Sequence, residues 1–172
     1  MAIKNYTTGI AEDKTVGEIM GLLAAKGARS IRIDYDELNR PSAISFTVVI
    51  QDWPVPFKLP CSFDGVFKAM KAERTRHVYQ WERDPKNREQ ARRVAWRIIK
   101  DWVAAQMALI EAEQASLAQV FLPYAIMNQN SGMTAFDQFM LQATSQKQLG
   151  NGDGSPVRDT GGKNESATSQ SS

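Results

Sequence analysis

The sequence is poor in the residues that form disulfides and zinc sites, with one cysteine, Cys61, and one histidine, His77. A single cysteine cannot form a disulfide within the chain, and this pair is too few for a structural zinc site. No run approaches the 18 apolar residues of a transmembrane helix, and the first residues lack the apolar region of a signal peptide. We therefore expect a cytoplasmic protein with no membrane segment, in a reducing compartment.

Signatures of catalysis are lacking as well. The glycine-rich stretch GNGDG lacks the Gly-Lys-Ser/Thr ending of a phosphate-binding loop. His77 lies among arginines, where an exposed histidine is commoner than a general base, and Cys61 is typical of a buried, inert thiol. A metal ion at Asp34, Asp36 and Glu37 is an alternative, but these residues fit strand-end and turn positions better. We expect no enzyme, no metal and no cofactor.

Length and composition are those of one globular domain, with 172 residues that are 42% hydrophobic and 23% charged. We predict a single domain over residues 1–144. The remaining residues, 145–172, are almost free of apolar side chains and cannot bury enough surface to offset chain entropy. They are predicted to form a disordered polar tail.

The first elements are a short strand and a helix. A β-branched and aromatic run predicts a strand at residues 6–10. Thr15 and Glu18 have the spacing of a capping box, which predicts a helix over residues 15–26 that Gly27 ends. One apolar stripe of this helix consists of Val16, Ile19, Met20 and Leu23.

Three alternating segments follow, SIRIDY, AISFTVVI and VPFKL, joined by short turns. This pattern favours an antiparallel sheet with one buried face. Pro54 and Pro56 cannot donate to a strand ladder, so the third strand is predicted at an edge. We expect an α+β fold, with a small, mainly antiparallel β-sheet packed against an N-terminal helix and one long C-terminal amphipathic helix.

Helix signals dominate the second half of the chain. Ser62 is placed to cap a helix, whereas residues 71–84 lose helical periodicity and are predicted to form a mobile basic loop. The dipeptide Asp84-Pro85 starts a predicted helix over residues 85–113. Further helical turns are expected at residues 117–124, and a capping signal at Thr134 and Asp137 predicts a last short helix.

Positive charge is concentrated in residues 66–100, where eleven Lys and Arg face four acidic residues, a local net charge of +7. The rest of the chain has a net charge of −5. On a helical wheel of the long helix, Val94, Ile98 and Trp102 mark the core face, while cations occupy the opposite face with Trp96 beside them. A solvated helix face is the simpler interpretation. Cations near a helix N-terminus oppose the macrodipole, however, and a face of one sign indicates an anionic ligand.

The predicted loop adds cations interleaved with aromatic residues. This composition suits a nucleic-acid strand, because cations neutralise phosphates and rings stack on bases. No base-specific motif occurs, so the sequence predicts general contacts, most simply with single-stranded DNA or RNA. The predicted nucleic-acid-binding residues are Arg74, Arg76, Tyr79, Trp81, Lys86, Arg93, Trp96, Arg97 and Lys100.

Four segments carry a resemblance to known sequences: KNYTTGI, GARSIRIDYDELNRPSAISF, PFKLP and QARRVAWRIIKDWVAAQMALIEAEQASLAQVFLPY. Together they resemble a group of small phage and prophage-type proteins that has no assigned activity. The resemblance covers about residues 3–125 and transfers no catalytic or binding residue. It implies a phage or mobile-element context, in which small nucleic-acid-handling accessory proteins are common.

Three functions are consistent with these observations. The first is a non-enzymatic nucleic-acid-binding accessory protein of phage or mobile-element type. The second is a protein-interaction module, an inhibitor or adaptor acting on a host or phage protein, with the same arginines and Trp96 as interface anchors. The third is self-association into a homo-oligomer through the edge strand or the apolar segment 121–140.

Overall fold

The computed structural model describes the backbone of residues 3–150 and the side chains of residues 3–145. Helices and two antiparallel sheets make up this part of the chain, which has the predicted α+β fold. The helices are α1 (Glu12–Ala25), α2 (Phe63–Ala72), α3 (Val78–Arg83), α4 (Pro85–Glu111), α5 (Leu117–Phe121) and α6 (Ala135–Gly150), with a 3₁₀ turn at Leu122–Tyr124. The strands are β1 (Ser30–Tyr35), β2 (Pro41–Ile50), β3 (Trp53–Lys58), β4 (Ile126–Asn128) and β5 (Met133–Thr134).

The larger sheet has the strand order β1-β2-β3 and is antiparallel throughout. Its central strand β2 turns Ile44, Phe46 and Val48 to the core, because alternate side chains of a strand point to one face. β3 lies at the edge, so the prediction from its prolines is confirmed. Beyond that edge, Ala125 forms a single antiparallel bridge to Phe57.

The main hydrophobic core lies between the sheet, α1 and α4. From α1 it takes three residues of the predicted stripe, Val16, Ile19 and Leu23. From α4 it takes residues spaced three or four apart, which lie on one face of a helix. These residues are Trp96, Ile99, Val103 and Met107.

A second, smaller core lies between α2, α3 and the first half of α4. The Phe67 and Trp81 rings are stacked there, with centroids 5.1 Å apart. Ala91 and Val94 complete it from α4, so this helix contributes to two cores on different sides. A prediction that assigns α4 one apolar face is therefore only partly correct.

Near the N-terminus, two predictions are wrong. Residues 6–10 do not form a strand, because Asn5 adopts a left-handed backbone (φ 66°) that turns the chain, and Gln90 Nε2 bonds the carbonyls of Tyr6 and Thr8. α1 begins at Glu12 instead of residue 15, and Thr15 lies inside the helix with its hydroxyl donating to Ala11 O. Its end is as predicted, since Gly27 has φ 92°.

Further along the chain, the predicted loop at residues 71–84 is wrong in part, because Val78–Arg83 is the helix α3. Local composition fails here because packing of Trp81 against Phe67 stabilises a helix too short to form alone. The predicted caps at Ser62, at Asp84 and at Thr134 with Asp137 are confirmed.

The described residues include only part of the C-terminal region for which the sequence makes predictions. Within the described residues a compact unit runs to Phe139, and the single domain over residues 1–144 stays a prediction. Residues 145–150, the start of the predicted tail, are helical, and the rest of that tail lies outside the described residues. Over residues 3–150, no helix combines the length and apolar character needed to span a membrane.

A buried arginine, Arg92, joins α4 to α1 and to the turn before β2. Its Nε donates to both carboxylate oxygens of Glu12, at 3.1 and 3.0 Å, and its Nη2 donates to Pro41 O at 2.6 Å. Its Nη1 lies 3.4 Å from Asp36 Oδ2, and its guanidinium lies 4.2 Å from the centroid of the Phe63 ring. The side chain is 10% exposed, so it contacts protein instead of water on most of its surface.

Asp36 organises the β1–β2 turn beside Arg92. Its carboxylate accepts hydrogen bonds from the backbone amides of Arg40 and Leu38, both at 3.0 Å. The Arg40 amide, followed by the Leu38 amide and the Arg40 guanidinium, lowers the pKa of Asp36 below its usual value. This carboxylate therefore serves the turn, as the sequence suggested.

Replacing Arg92 with methionine should cost about 3–5 kcal/mol of unfolding free energy, because it leaves the largely buried carboxylate of Glu12 without a cation. Urea denaturation measures this loss. Adding Glu12→Gln to Arg92→Met should restore part of it. The control is Arg32→Ala, which breaks the exposed pair with Asp34 and should cost at most about 1 kcal/mol. Equal costs for the two single variants would contradict the assigned role of Arg92.

The lowered pKa of Asp36 implies acid sensitivity. The folded protein holds this carboxyl deprotonated to a lower pH than the unfolded chain does, so its contribution is complete above about pH 4 and is lost as the pH falls. Asp36→Asn should therefore lower the urea midpoint at pH 7 and lower it much less at pH 3. If Asp36→Asn lowers the urea midpoint by the same amount at pH 7 and at pH 3, this explanation is ruled out.

Candidate nucleic-acid interface

In the folded protein, nine of the eleven cations of residues 66–100 fall into two groups. Four of the eleven form ion pairs with described carboxylates. Three of these, Arg92, Arg97 and Lys100, lie on α4, and their partners lie outside the basic segment. Much of the apparent charge asymmetry is therefore neutralised inside the protein.

Arg97 and Lys100, both predicted to bind nucleic acid, belong to this neutralised group. Arg97 Nη1 lies 2.7 Å from Glu18 Oε2 in α1, and the arginine side chain is 15% exposed. Lys100 Nζ lies 3.7 Å from an Asp101 carboxylate oxygen. The α4 face that seemed to be a free basic surface is covered in part by α1.

Arg93, on the same stretch of α4, is half-buried and donates from Nε and Nη2 to Gln90 Oε1, at 3.1 and 2.8 Å. Gln90 in turn donates to the carbonyls of Tyr6 and Thr8. Arg93 therefore supports the side chain that fixes the N-terminal segment to α4.

The two predicted tryptophans do not lie on the surface. Trp96 is 0% exposed, packs against Phe63 and belongs to the main core. Trp81 is 7% exposed and belongs to the second core. Neither indole Nε1 has a hydrogen-bond partner among the described residues. The prediction that Trp96 borders an exposed face is wrong, because α1, α2 and the sheet surround this part of α4.

The second group of cations remains exposed. We use the name basic rim for five residues in the connection from α2 to α3, in α3 and in the first turn of α4. Over the described side chains, no carboxylate lies within 4 Å of their charged groups. The basic rim consists of Arg74, Arg76, Arg83, Lys86 and Arg88.

Aromatic rings hold part of the basic rim in place. Arg74 lies 5.2 Å from the Trp81 ring centroid, and Arg88 lies 4.6 Å from that of Phe67. Because these two rings are stacked on each other, the two guanidiniums are tied to the same pair of rings. Trp81 therefore positions a cation instead of offering its face to a base.

Tyr79 is the predicted aromatic residue that does lie at the surface. Its side chain is 65% exposed, and the Arg83 guanidinium lies 4.5 Å from its ring centroid. Arg83 and Arg88 are rim residues that the predicted site omits. The sequence signal that could have identified them is their position on either side of the helix start at Asp84-Pro85. The end of α3 and the start of α4 meet at this point.

The surroundings of Cys61 and His77, the two residues considered for catalysis, are those of structural residues. Burial raises the pKa of the Cys61 thiol to about 12, and a protonated thiol is a poor nucleophile. His77 is exposed in a left-handed conformation (φ 52°), with Nδ1 3.0 Å from Gln80 Oε1. Within the described part of the chain, no three His, Cys, Asp or Glu side chains are grouped closely enough to hold a metal ion.

The site thus consists of the basic rim and Tyr79, without an identified nucleophile or metal group among the described residues. Of the nine predicted residues, four are exposed in α3 or in the segments that flank it: Arg74, Arg76, Tyr79 and Lys86. Comparison with known proteins adds no family assignment, since no family model, curated protein or solved structure matches this chain.

Proposed function

We propose that this protein is a non-enzymatic nucleic-acid-binding accessory protein, of the phage or mobile-element type that its sequence resembles. The observation that carries the proposal is the basic rim, five exposed cations with no carboxylate within 4 Å among the described side chains. Exposed cations that form no ion pair are suited to phosphates, because binding releases the counterions that phosphates otherwise hold.

A single strand is the form of nucleic acid that this surface favours. Tyr79 offers a ring that an unpaired base can stack on, with Arg83 beside it. α3 has six residues and carries no row of base-reading side chains for a major groove. Phosphate contact with base stacking gives binding with little sequence preference.

A second candidate function, protein interaction, rests on a different surface. Four large apolar side chains between residues 122 and 139 are more than half exposed: Leu122, Met127, Phe136 and Phe139. Apolar surface of this kind is a common feature of protein interfaces. Trp96 is not available as an anchor because it is buried, and Phe121, in the segment considered for self-association, is also 0% exposed.

The test of the first proposal is the salt dependence of oligonucleotide binding. The triple variant Arg76→Gln/Arg83→Gln/Lys86→Gln should bind a single-stranded oligonucleotide more weakly. The slope of log affinity against log salt should fall by about 2, because each phosphate contact on a single strand contributes roughly 0.7. Fluorescence anisotropy at several salt concentrations measures both quantities.

A matched control separates position from total charge. Lys14→Gln/Arg29→Gln/Lys58→Gln removes three exposed cations that also have no carboxylate within 4 Å among the described side chains, but lie outside the basic rim. Its salt slope should stay near that of the wild type. Equal losses in the two triple variants, or binding that does not depend on salt, would overturn the proposal. A stoichiometric protein partner recovered from nuclease-treated extract would instead favour protein interaction.

A further inference from the structure

A groove of about 680 Å³ lies next to the basic rim, between the N-terminal turn and the connection from α2 to α3. Its volume is in the range of pockets that hold small organic ligands. Met70, which is 1% exposed, forms part of its wall. The remaining lining residues are Tyr6, Thr7, Glu73, Arg74, Thr75, Arg76 and His77.

The groove combines two kinds of surface. Tyr6 and Met70 provide an aromatic ring and an apolar wall, whereas Arg74 and Arg76 provide positive charge at its edge. Glu73 is the carboxylate among the lining residues. Apolar surface beside guanidinium groups matches the chemistry of a nucleotide, in which a flat base is joined to a phosphate.

Tyr6 is held in position by two other elements. Its hydroxyl oxygen accepts a hydrogen bond from Arg74 Nη2 at 3.2 Å. Its backbone carbonyl accepts one from Gln90 Nε2 at 2.7 Å, and the same Nε2 donates to Thr8 O at 2.9 Å. The Tyr6 backbone is therefore fixed to α4 and its hydroxyl is held by Arg74, so the ring loses little conformational entropy when a ligand binds.

We infer that this groove receives the base of one unpaired nucleotide, stacked against Tyr6, while Arg74 and Arg76 contact the adjoining phosphates. The inference rests on the proposed function, since Arg74 and Arg76 belong to the basic rim. It goes beyond that function by placing a base-binding pocket at the N-terminal turn. A paired base in a duplex is stacked inside the helix and would have to leave it to enter the groove. The groove thus gives the protein a preference for single strands over duplexes.

The first test is substitution of Tyr6. Tyr6→Ala should weaken binding of a single-stranded oligothymidylate about tenfold, the usual effect of losing one stacked base, and should leave duplex binding nearly unchanged. Tyr6→Phe keeps the ring and should bind within about twofold of the wild type. Tyr35→Ala, which removes a 55% exposed tyrosine on the sheet, is the matched control and should have no effect. Thermal denaturation establishes that each variant is folded.

The second test needs no variant. An oligothymidylate carrying one 5-iodouracil is bound to the full chain and irradiated, and mass spectrometry locates the crosslink. A crosslink at Tyr6 supports the inference. A crosslink at Tyr79 with none at Tyr6, or an unchanged ratio of single-strand to duplex affinity in Tyr6→Ala, overturns it.

These outcomes separate the groove from the proposed function. If no oligonucleotide binds, both fail. If the wild type binds with a salt slope that the rim variant lowers, but Tyr6 neither crosslinks nor affects the preference for single strands, the groove inference alone fails.

Discussion

The fold depends on a guanidinium buried where three parts of the chain meet. Arg92 bonds Glu12 at the start of α1, Pro41 O at the start of β2, and lies beside Asp36 in the preceding turn. A charge so far from water is stable only with its partners in place, so the interaction fixes how α1, α4 and the sheet meet. Burial of apolar residues supplies most of the free energy. The Arg92 interactions select the arrangement in which that burial occurs.

The same packing decides which cations can reach a ligand. α1 lies along α4, and its Glu12 and Glu18 neutralise Arg92 and Arg97. An ion pair that is largely buried is a poor site for phosphate, because binding would have to break it. α1 does not extend over α3, where the basic rim has no such partners among the described residues. Folding thus uses part of a single run of basic sequence, and the proposed function concerns the part that stays exposed.

Sequence periodicity was sufficient to predict an element where one face of that element packs against one partner. The three strands of the larger sheet, the edge position of β3, the α1 stripe and the start of α4 at Pro85 all follow from local patterns. It was insufficient for α4, because this helix lies between two cores and buries Trp96 on a side that a single-face wheel assigns to solvent. Charge counting also failed to show that Arg97 is paired, since its partner Glu18 is 79 residues away. Exposed rim residues such as Arg76 were identifiable because no packing overrides their polarity.

The central claim is that the binding surface lies around α3 and the N-terminal turn, and not along residues 93–100 of α4. Amide hydrogen exchange of the full chain, with and without a single-stranded oligonucleotide at low salt, tests it most directly. Protection should appear in residues 4–8 and 73–83, with little change in residues 93–100. Protection confined to residues 93–100, or absent throughout under conditions where the oligonucleotide is bound, would contradict the account.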